Sequence, residues 1–106
     1  MKNYHFYILA PLSALAIATQ GVAQDDCMID KITANTIATH RQMGGWPISE
    51  MMNRLGSEPG LRDMILDAYS QPRMLTPETR QYAIDEFANT WSVKCYRSGS
   101  ILPRKD

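Results

Sequence analysis

The sequence predicts an all-α fold, a small bundle of about four helices closed by one disulfide. Apolar residues recur at the three- and four-residue spacing of helices, and alternating β-branched runs, which are typical of strands, are almost absent. Glycines and prolines separate these periodic segments, and no repeat, low-complexity segment or long linker interrupts them. The two cysteines, Cys27 and Cys95, stand near the two ends of the periodic region. An even cysteine count in an exported chain indicates a disulfide, and this pair lacks the close spacing of a CxxC metal or redox motif.

Residues 1–23 have the pattern of a secretory signal peptide. Lys2 supplies a positive charge, residues 6–18 form a short apolar stretch, and Gly21 and Ala23 place small residues at the cleavage positions. The apolar stretch is shorter than the ~20 residues that span a bilayer, so we expect no stable membrane anchor after cleavage. The mature chain, residues 24–106, is predicted to be a single helical domain that is periplasmic or secreted.

The charge of the mature chain narrows the class of partner. Without Lys2 it carries 10 basic and 11 acidic side chains, since the full sequence has 11 of each. Such a near-neutral balance gives no electrostatic argument for binding nucleic acid or anionic lipid.

The first helix is predicted from about Asp26 to Met43. Acidic residues at its start suit the free N–H groups and the positive end of the helix dipole, and Gly44 suits its C-terminal end. Three threonines lower its helix propensity. The predicted apolar face consists of Met28, Ile29, Ile32, Ile37 and Ala38.

The second and third helices are shorter. The second is predicted from about Pro47, a favourable first residue, to Leu55, and its apolar stripe follows the helical spacing at Ile48, Met51, Met52 and Leu55. The third is predicted from about Glu58 to Gln71, because the following proline disfavours helical geometry. Its apolar positions are Leu61, Ile65, Ala68 and Tyr69, flanked by Met64 and Leu66.

The fourth helix begins at a strong start signal, Thr76-Pro77-Glu78, and is predicted to run to about Tyr96. Its predicted apolar face consists of Ile84, Phe87, Ala88, Trp91 and Cys95. A disulfide between Cys95 and Cys27 would join the end of this helix to the start of the first. That connection suits antiparallel packing of the two helices, and in the chain-entropy model it stabilises the fold by roughly 4 kcal/mol. We expect the tail from about residue 98 to be loose.

Residues 39–52, THRQMGGWPISEMM, contain the candidate partner surface, His40, Arg41 and Trp46. Trp46 on a Gly-Gly turn is either an anchor for a partner or a lid that folds back on the core. His40 in the last helical turn would favour the helix dipole as a cation, with Arg41 solvated beside it. Soft ligands suggest an alternative, a copper(I) site, although methionine is also a common core filler. That site would use His40, Met43, Met51 and Met52.

The sequence holds no catalytic constellation, and we expect no enzyme and no cofactor. The mature chain has one histidine, and both cysteines are expected to be bonded, so no nucleophile stands beside a positioned base. Asp63 and Asp67 share one helix face, which acid–base chemistry could use, but their polar neighbours indicate a solvated face. Phosphate-loop, zinc and dinucleotide motifs are absent.

Several short sequence features of this chain form one pattern along the mature part. A cysteine opens the first helix and Arg41 and Gly44 close it, Asp67-Ala68-Tyr69 precedes Pro72, and an aromatic helix ends in Cys95-Tyr96. In these features the chain resembles small exported helical two-cysteine proteins of bacteria and prophages, a mostly hypothetical group with no assigned mechanism. The resemblance covers nearly all of the mature chain and implies export and a helical fold, with no catalytic residues to carry over.

We therefore expect an exported periplasmic protein that binds another envelope protein without catalysis, as an inhibitor, an immunity-type protein or an accessory factor. The stapled scaffold, the Trp46 corner and the lack of catalytic motifs motivate this expectation. One alternative is a periplasmic chaperone of the acid-stress type, which exposes apolar surface when acid loosens it. The other alternative is a copper(I) carrier that uses the methionines.

Overall fold

Four helices make up most of residues 26–102, the part of the chain that the computed structural model describes. Helix α1 spans residues 26–43, α2 Ile48–Leu55, α3 Pro59–Ser70 and α4 Pro77–Ser98. No strand occurs in this range, so the prediction of a small all-α bundle is confirmed. The predicted signal peptide, residues 1–23, lies outside the described residues.

The turn between α1 and α2 is built by its glycines and proline. α1 ends at Gly44, whose φ of +75° lies in the left-handed region that glycine adopts at little cost. The next N–H, that of Gly45, donates to the His40 carbonyl at 2.9 Å and so satisfies a free carbonyl of the last helical turn. Pro47 is the N-cap of α2, which begins at Ile48, one residue later than predicted.

The start of α4 is a reciprocal cap. The Thr79 N–H donates to Thr76 Oγ1 at 3.1 Å, and the Thr76 N–H donates to Thr79 Oγ1 at 3.2 Å. This capping box satisfies two of the N–H groups that a helix start leaves without partners. The predicted start at Thr76-Pro77 is therefore confirmed.

The predicted disulfide, Cys27–Cys95, closes the bundle. It joins the start of α1 to the end of α4, with Cα atoms 5.5 Å apart. At the other end of α1, the Gln42 side chain accepts a hydrogen bond from the N–H of Met74, just before α4 begins. Because each end of α1 meets the opposite end of α4, the two helices run antiparallel, as expected.

All four helices contribute side chains to one hydrophobic core. The predicted apolar face of α4 is buried, and so are Leu61, Ile65 and Ala68 of α3; Tyr69 is only half-buried, and Met64, predicted at the flank, is fully buried. In α2, Met51 is fully buried and Ile48 is exposed. The buried cluster contains Ala34, Ile37, Ala38, Met51, Leu61, Met64, Ile65, Ala68, Ile84, Phe87, Ala88 and Trp91.

The predicted apolar face of α1 is wrong for three of its five members. Met28, Ile29 and Ile32 are half-exposed, and only Ile37 and Ala38 are buried. The disulfide places Cys27 on the core side of α1. Residues that follow at helical spacing, the first of them three and seven positions later, then lie on the same side. The core-facing side therefore includes two polar residues, Asp30 and Gln42, along with Cys27, Ala34, Ile37 and Ala38.

The expectation of a loose tail from about residue 98 is corrected for residues 98–102. α4 continues to Ser98, and the Asp30 carboxylate then holds the next segment. The Ser100 hydroxyl donates to Asp30 Oδ1 at 2.6 Å, and the Ile101 N–H donates to Asp30 Oδ2 at 3.1 Å. Asp30 is 0% exposed, and these two donors offset the cost of burying its carboxylate.

Candidate functional site

His40 and Trp46 form the centre of the corner between α1 and α2. Their rings stack, with centroids 4.5 Å apart and an interplanar angle of 18°. The Trp46 backbone N–H donates to His40 Nδ1 at 3.0 Å. A Cβ added at Gly45 would collide with the His40 ring, which explains the second glycine of the pair. His40 thus closes the turn as a hydrogen-bond acceptor.

Trp46 is held by this chain on more than one side. His40 covers one face of the indole. The Arg54 guanidinium carbon lies 4.3 Å from the ring centroid, so Arg54 covers the opposite face. The Tyr69 hydroxyl donates to the Trp46 carbonyl at 2.6 Å, and the indole is half-buried against the core. Trp46 therefore acts as a lid, one of the two roles that the sequence left open. Its use as a partner anchor stays a prediction.

Arg41 points from the end of α1 to the end of α3. Its Nε donates to the Gln71 carbonyl at 2.9 Å, and its guanidinium carbon lies 5.8 Å from the Tyr69 ring centroid. Arg41 is thus not the solvated side chain that the cation interpretation of His40 assumed. Burial raises the pKa of the Tyr69 phenol above its ordinary value of 10.0, and the charge of Arg41 partly opposes this shift.

The neighbouring Gln42 holds the segment that connects α3 to α4. Its side-chain amide donates to the Pro72 carbonyl and accepts from the Met74 N–H, both at 2.9 Å. Arg80 of α4 donates to the Met74 carbonyl at 2.8 Å. Both polar ends of the buried Gln42 amide are therefore satisfied, and the connection is fixed from α1 and from α4.

The four residues of the copper(I) alternative do not share one environment, since His40 and Met43 line one shallow groove and Met51 and Met52 do not. Met51 is 0% exposed in the core, whereas Met43 is exposed at the end of α1. Met52 packs against the core, and its sulfur lies next to the position that a Cβ at Gly56 would occupy. His40 Nδ1 already accepts the Trp46 N–H. The structure therefore offers no observation that favours copper(I) binding by this set.

The solvent side of α1 is apolar in its first half and carries an exposed threonine and methionine in its second half. Met28, Ile29 and Ile32 are 51%, 50% and 58% exposed. Helical spacing places them on one side with exposed Thr36 and Met43. We call these five residues the outer face of α1; it spans the sixteen residues 28–43, or about 22 Å at the helical rise. None of its members is charged.

Threonines make this side of α1 less polar than its composition indicates. The hydroxyls of Thr33, Thr36 and Thr39 donate to the carbonyls four residues earlier, at 2.8, 3.0 and 2.7 Å. Their hydrogen-bond donors are thereby satisfied within the helix. Near the end of α1, a shallow groove of about 420 Å³ continues from this side to the corner. Its lining comprises Asn35, Thr36, Thr39, His40, Met43 and Gly45.

A second groove lies between α1, α3 and α4 and has a volume of about 450 Å³. We call it the α4 groove. Its buried floor is formed by Ala38, Ala68 and Phe87. Small side chains where three helices meet leave this space open.

Charged residues of both signs stand around the α4 groove, namely Arg41, Asp67, Glu86 and Lys94. No ion pair joins them; within residues 26–102 the ion pair is Arg54–Glu50, at 2.7 Å. Asp67 accepts a hydrogen bond from the Trp91 indole N–H at 2.9 Å, and the Lys94 ammonium lies 4.0 Å from the Trp91 ring centroid.

The two carboxylates that the sequence singled out therefore differ. Asp63 is exposed, as predicted, but Asp67 is half-buried and hydrogen-bonded to Trp91. Neither the outer face of α1 nor the burial of Asp30 was predicted. The signal for both was the inward direction of Cys27, because helical spacing from that residue turns Asp30 inward and Ile32 outward.

Within residues 26–102, no helix is long and apolar enough to cross a membrane. No group of three or more His, Cys, Asp or Glu side chains in the same range is arranged to hold a metal ion.

Comparisons with known proteins add no family. No protein-family model matches the chain, and no curated protein and no solved structure matches it.

Proposed function

We propose that this chain is an exported envelope protein that binds another protein through the outer face of α1, without catalysis. The observation that carries the proposal is an uncharged helix side about 22 Å long whose isoleucines are half-exposed. Contiguous exposed apolar surface of this kind commonly marks an interaction site. The shallow groove at the end of this face would receive one large side chain of the partner.

The chemistry of the outer face indicates the chemistry of its partner. Lys31 is the charged residue among the exposed described residues of α1. It lies about 100° around the helix from Ile32 and about 60° from Met28, at the margin of the outer face. A charged partner surface would lose hydration against the uncharged centre of this face without gaining an ion pair there. We therefore infer that the partner presents an uncharged, apolar helix that packs along α1, as in other helix-to-groove contacts.

Export and the lack of catalysis have separate support. The disulfide suits an oxidising compartment such as the periplasm or the cell exterior, and the predicted signal peptide agrees with that location. Both cysteines are bonded to each other, and His40 Nδ1 accepts a hydrogen bond from the Trp46 N–H. These side chains are then not free to serve as a nucleophile with its base.

The test is affinity capture with matched variants. The oxidised protein is immobilised and exposed to native envelope extract, and the retained proteins are identified by mass spectrometry. Ile32→Glu places a charge on the outer face, whereas Leu75→Glu makes the same change at a 90% exposed site elsewhere. We expect Ile32→Glu to lower retention of one stoichiometric partner about tenfold and Leu75→Glu to leave it unchanged.

Retention by itself does not support the proposal; its loss in Ile32→Glu does. Equal retention by both variants would contradict it, provided that both variants melt like the wild type. Self-association that Ile32→Glu abolishes would identify a second copy as the occupant. Retention of many proteins only in acid would instead favour the chaperone alternative.

A further inference from the structure

We propose that the α4 groove is a separate binding site for an extended peptide segment of about five residues, with acidic side chains at both ends and a basic one in the middle. This site lies on the core side of α1 and α4, away from the outer face. It goes beyond the proposed function because it assigns a second surface and a second ligand chemistry.

The dimensions of the groove select an extended chain. Tyr82, Glu86, Thr90 and Lys94 line it at every fourth residue of α4, so its length is about 18 Å at the helical rise of 1.5 Å per residue. An extended chain of five residues spans about 17 Å, so it matches the length of the groove. Five residues of a helix rise only about 7.5 Å and would cover less than half of it.

The floor accepts only small apolar side chains. Ala38, Ala68 and Phe87 are buried there and present methyl groups and one ring. In an extended peptide, alternate side chains point to opposite sides. The second and fourth residues would then face the floor, and the first, third and fifth would face the charged rim.

The charges along the groove alternate in sign. Arg41 lies at the end near the start of α4, since it bonds to the Gln71 carbonyl and its neighbour Gln42 accepts from Met74. Lys94 lies at the opposite end, next to Cys95 of the disulfide. Glu86 of α4 stands between them, and its side chain has no ion pair or hydrogen bond among residues 26–102. Asp67 of α3 adds a second negative charge to this middle part, where it accepts from the Trp91 indole N–H. A complementary peptide has the order acid, base, acid.

Polar side chains are available for the peptide backbone. The hydroxyls of Tyr82 and Thr90 and the amide of Gln71 line the groove and have no hydrogen-bond partner within the described part of the chain. The open side of the groove leaves the remaining backbone groups in water. An extended backbone can therefore bind there without an unsatisfied buried group.

The test uses two capped pentapeptides of opposite charge order, EAKAE and KAEAK, titrated into the oxidised protein by calorimetry at low ionic strength, where charge contacts are least screened. We expect EAKAE to bind about tenfold more tightly than KAEAK. Glu86→Lys, at an exposed position without partners, should reverse the charge that the middle residue meets. That variant should then prefer the peptide EAEAE to EAKAE.

Two outcomes would overturn the proposal. One is the absence of binding heat for EAKAE with a protein whose melting curve is normal. The other is equal affinity for EAKAE and KAEAK, which would mean that the charge order is not recognised. Neither outcome depends on the outer face of α1, so the peptide site and the proposed function fail independently.

Discussion

Replacing Trp46 with alanine distinguishes a side chain that holds the corner from one that serves only a partner. The change removes the stack on His40, worth about 0.5–1.5 kcal/mol, and the contact with the Arg54 guanidinium, worth about 0.5–1 kcal/mol. It also removes part of the apolar burial against the core. A fully buried Trp→Ala change costs about 3–5 kcal/mol, so a half-buried one should cost about 2–3 kcal/mol.

The assay is thermal unfolding of the oxidised protein, followed by circular dichroism. In a domain of this size, 1 kcal/mol shifts Tm by about 4–8 °C, so Trp46→Ala should melt about 8–24 °C below the wild type. Tyr82→Ala is the matched control, because Tyr82 is an exposed aromatic residue, and it should cost under about 0.5 kcal/mol. A Trp46→Ala variant that melts like Tyr82→Ala would refute the role of Trp46 in holding the corner. If that same variant also failed to capture the partner, Trp46 would be assigned as an anchor for the partner.

Three further predictions concern polar groups inside the bundle. Ser92 is 9% exposed and its hydroxyl has no hydrogen-bond partner, so Ser92→Ala should keep or raise Tm. A loss of more than about 1 kcal/mol in the free energy of unfolding would mean that the hydroxyl does form a hydrogen bond. Asp30→Ala removes both acceptor oxygens and leaves the Ile101 N–H without its partner, so it should cost about 1–3 kcal/mol. In this variant the amide hydrogen of Ile101 should exchange faster with solvent. An unchanged exchange rate would contradict the role of Asp30 in holding residues 100–101. The raised pKa of Tyr69 means that the folded state keeps its proton at a pH where the unfolded chain releases it. Stability from this group is therefore present below pH 10.0 and is lost as pH rises through the higher folded-state pKa. Alkaline denaturation curves should show a shallower decline in Tyr69→Phe, and an identical slope would count against the shift.

Most of the fold could be predicted because its signals are local. Helix ends are set by nearby residues, such as Gly44 at the end of α1 and Thr76 at the start of α4, and these acted as expected. The pairing of Cys27 with Cys95 followed from the presence of only two cysteines. Knowing that bond also predicts the antiparallel arrangement of α1 and α4.

The side of α1 that faces the core could not be read from hydrophobicity. Apolar side chains are usually buried, so Ile29 and Ile32 seemed to define the core face. Asp30 and Gln42 face the core instead, because the polar side chain of each is hydrogen-bonded to a backbone segment distant in sequence. Such partners are fixed by tertiary structure, and neither helical periodicity nor propensity records them.

The candidate sites depend even more on long-range contacts. Residues 39–52 did contain a real cluster, with His40 and Trp46 in contact. Arg54 and Tyr69, which complete it, come from α2 and α3 and were not in the predicted set. The α4 groove results from small residues on three helices, a coincidence that appears only when the helices are packed.

Oxidation of Met28 is the most direct test of the central claim, that the outer face of α1 binds a protein. Met28 is 51% exposed in the free protein, whereas Met51 is 0% exposed and serves as an internal standard. The oxidised protein is treated with dilute hydrogen peroxide, alone and in complex with its captured partner, and mass spectrometry measures oxidation at each methionine. The proposed interface predicts that the partner slows oxidation of Met28 several-fold and leaves Met51 unchanged. Equal oxidation of Met28 in the free and the bound protein would show that the partner binds elsewhere.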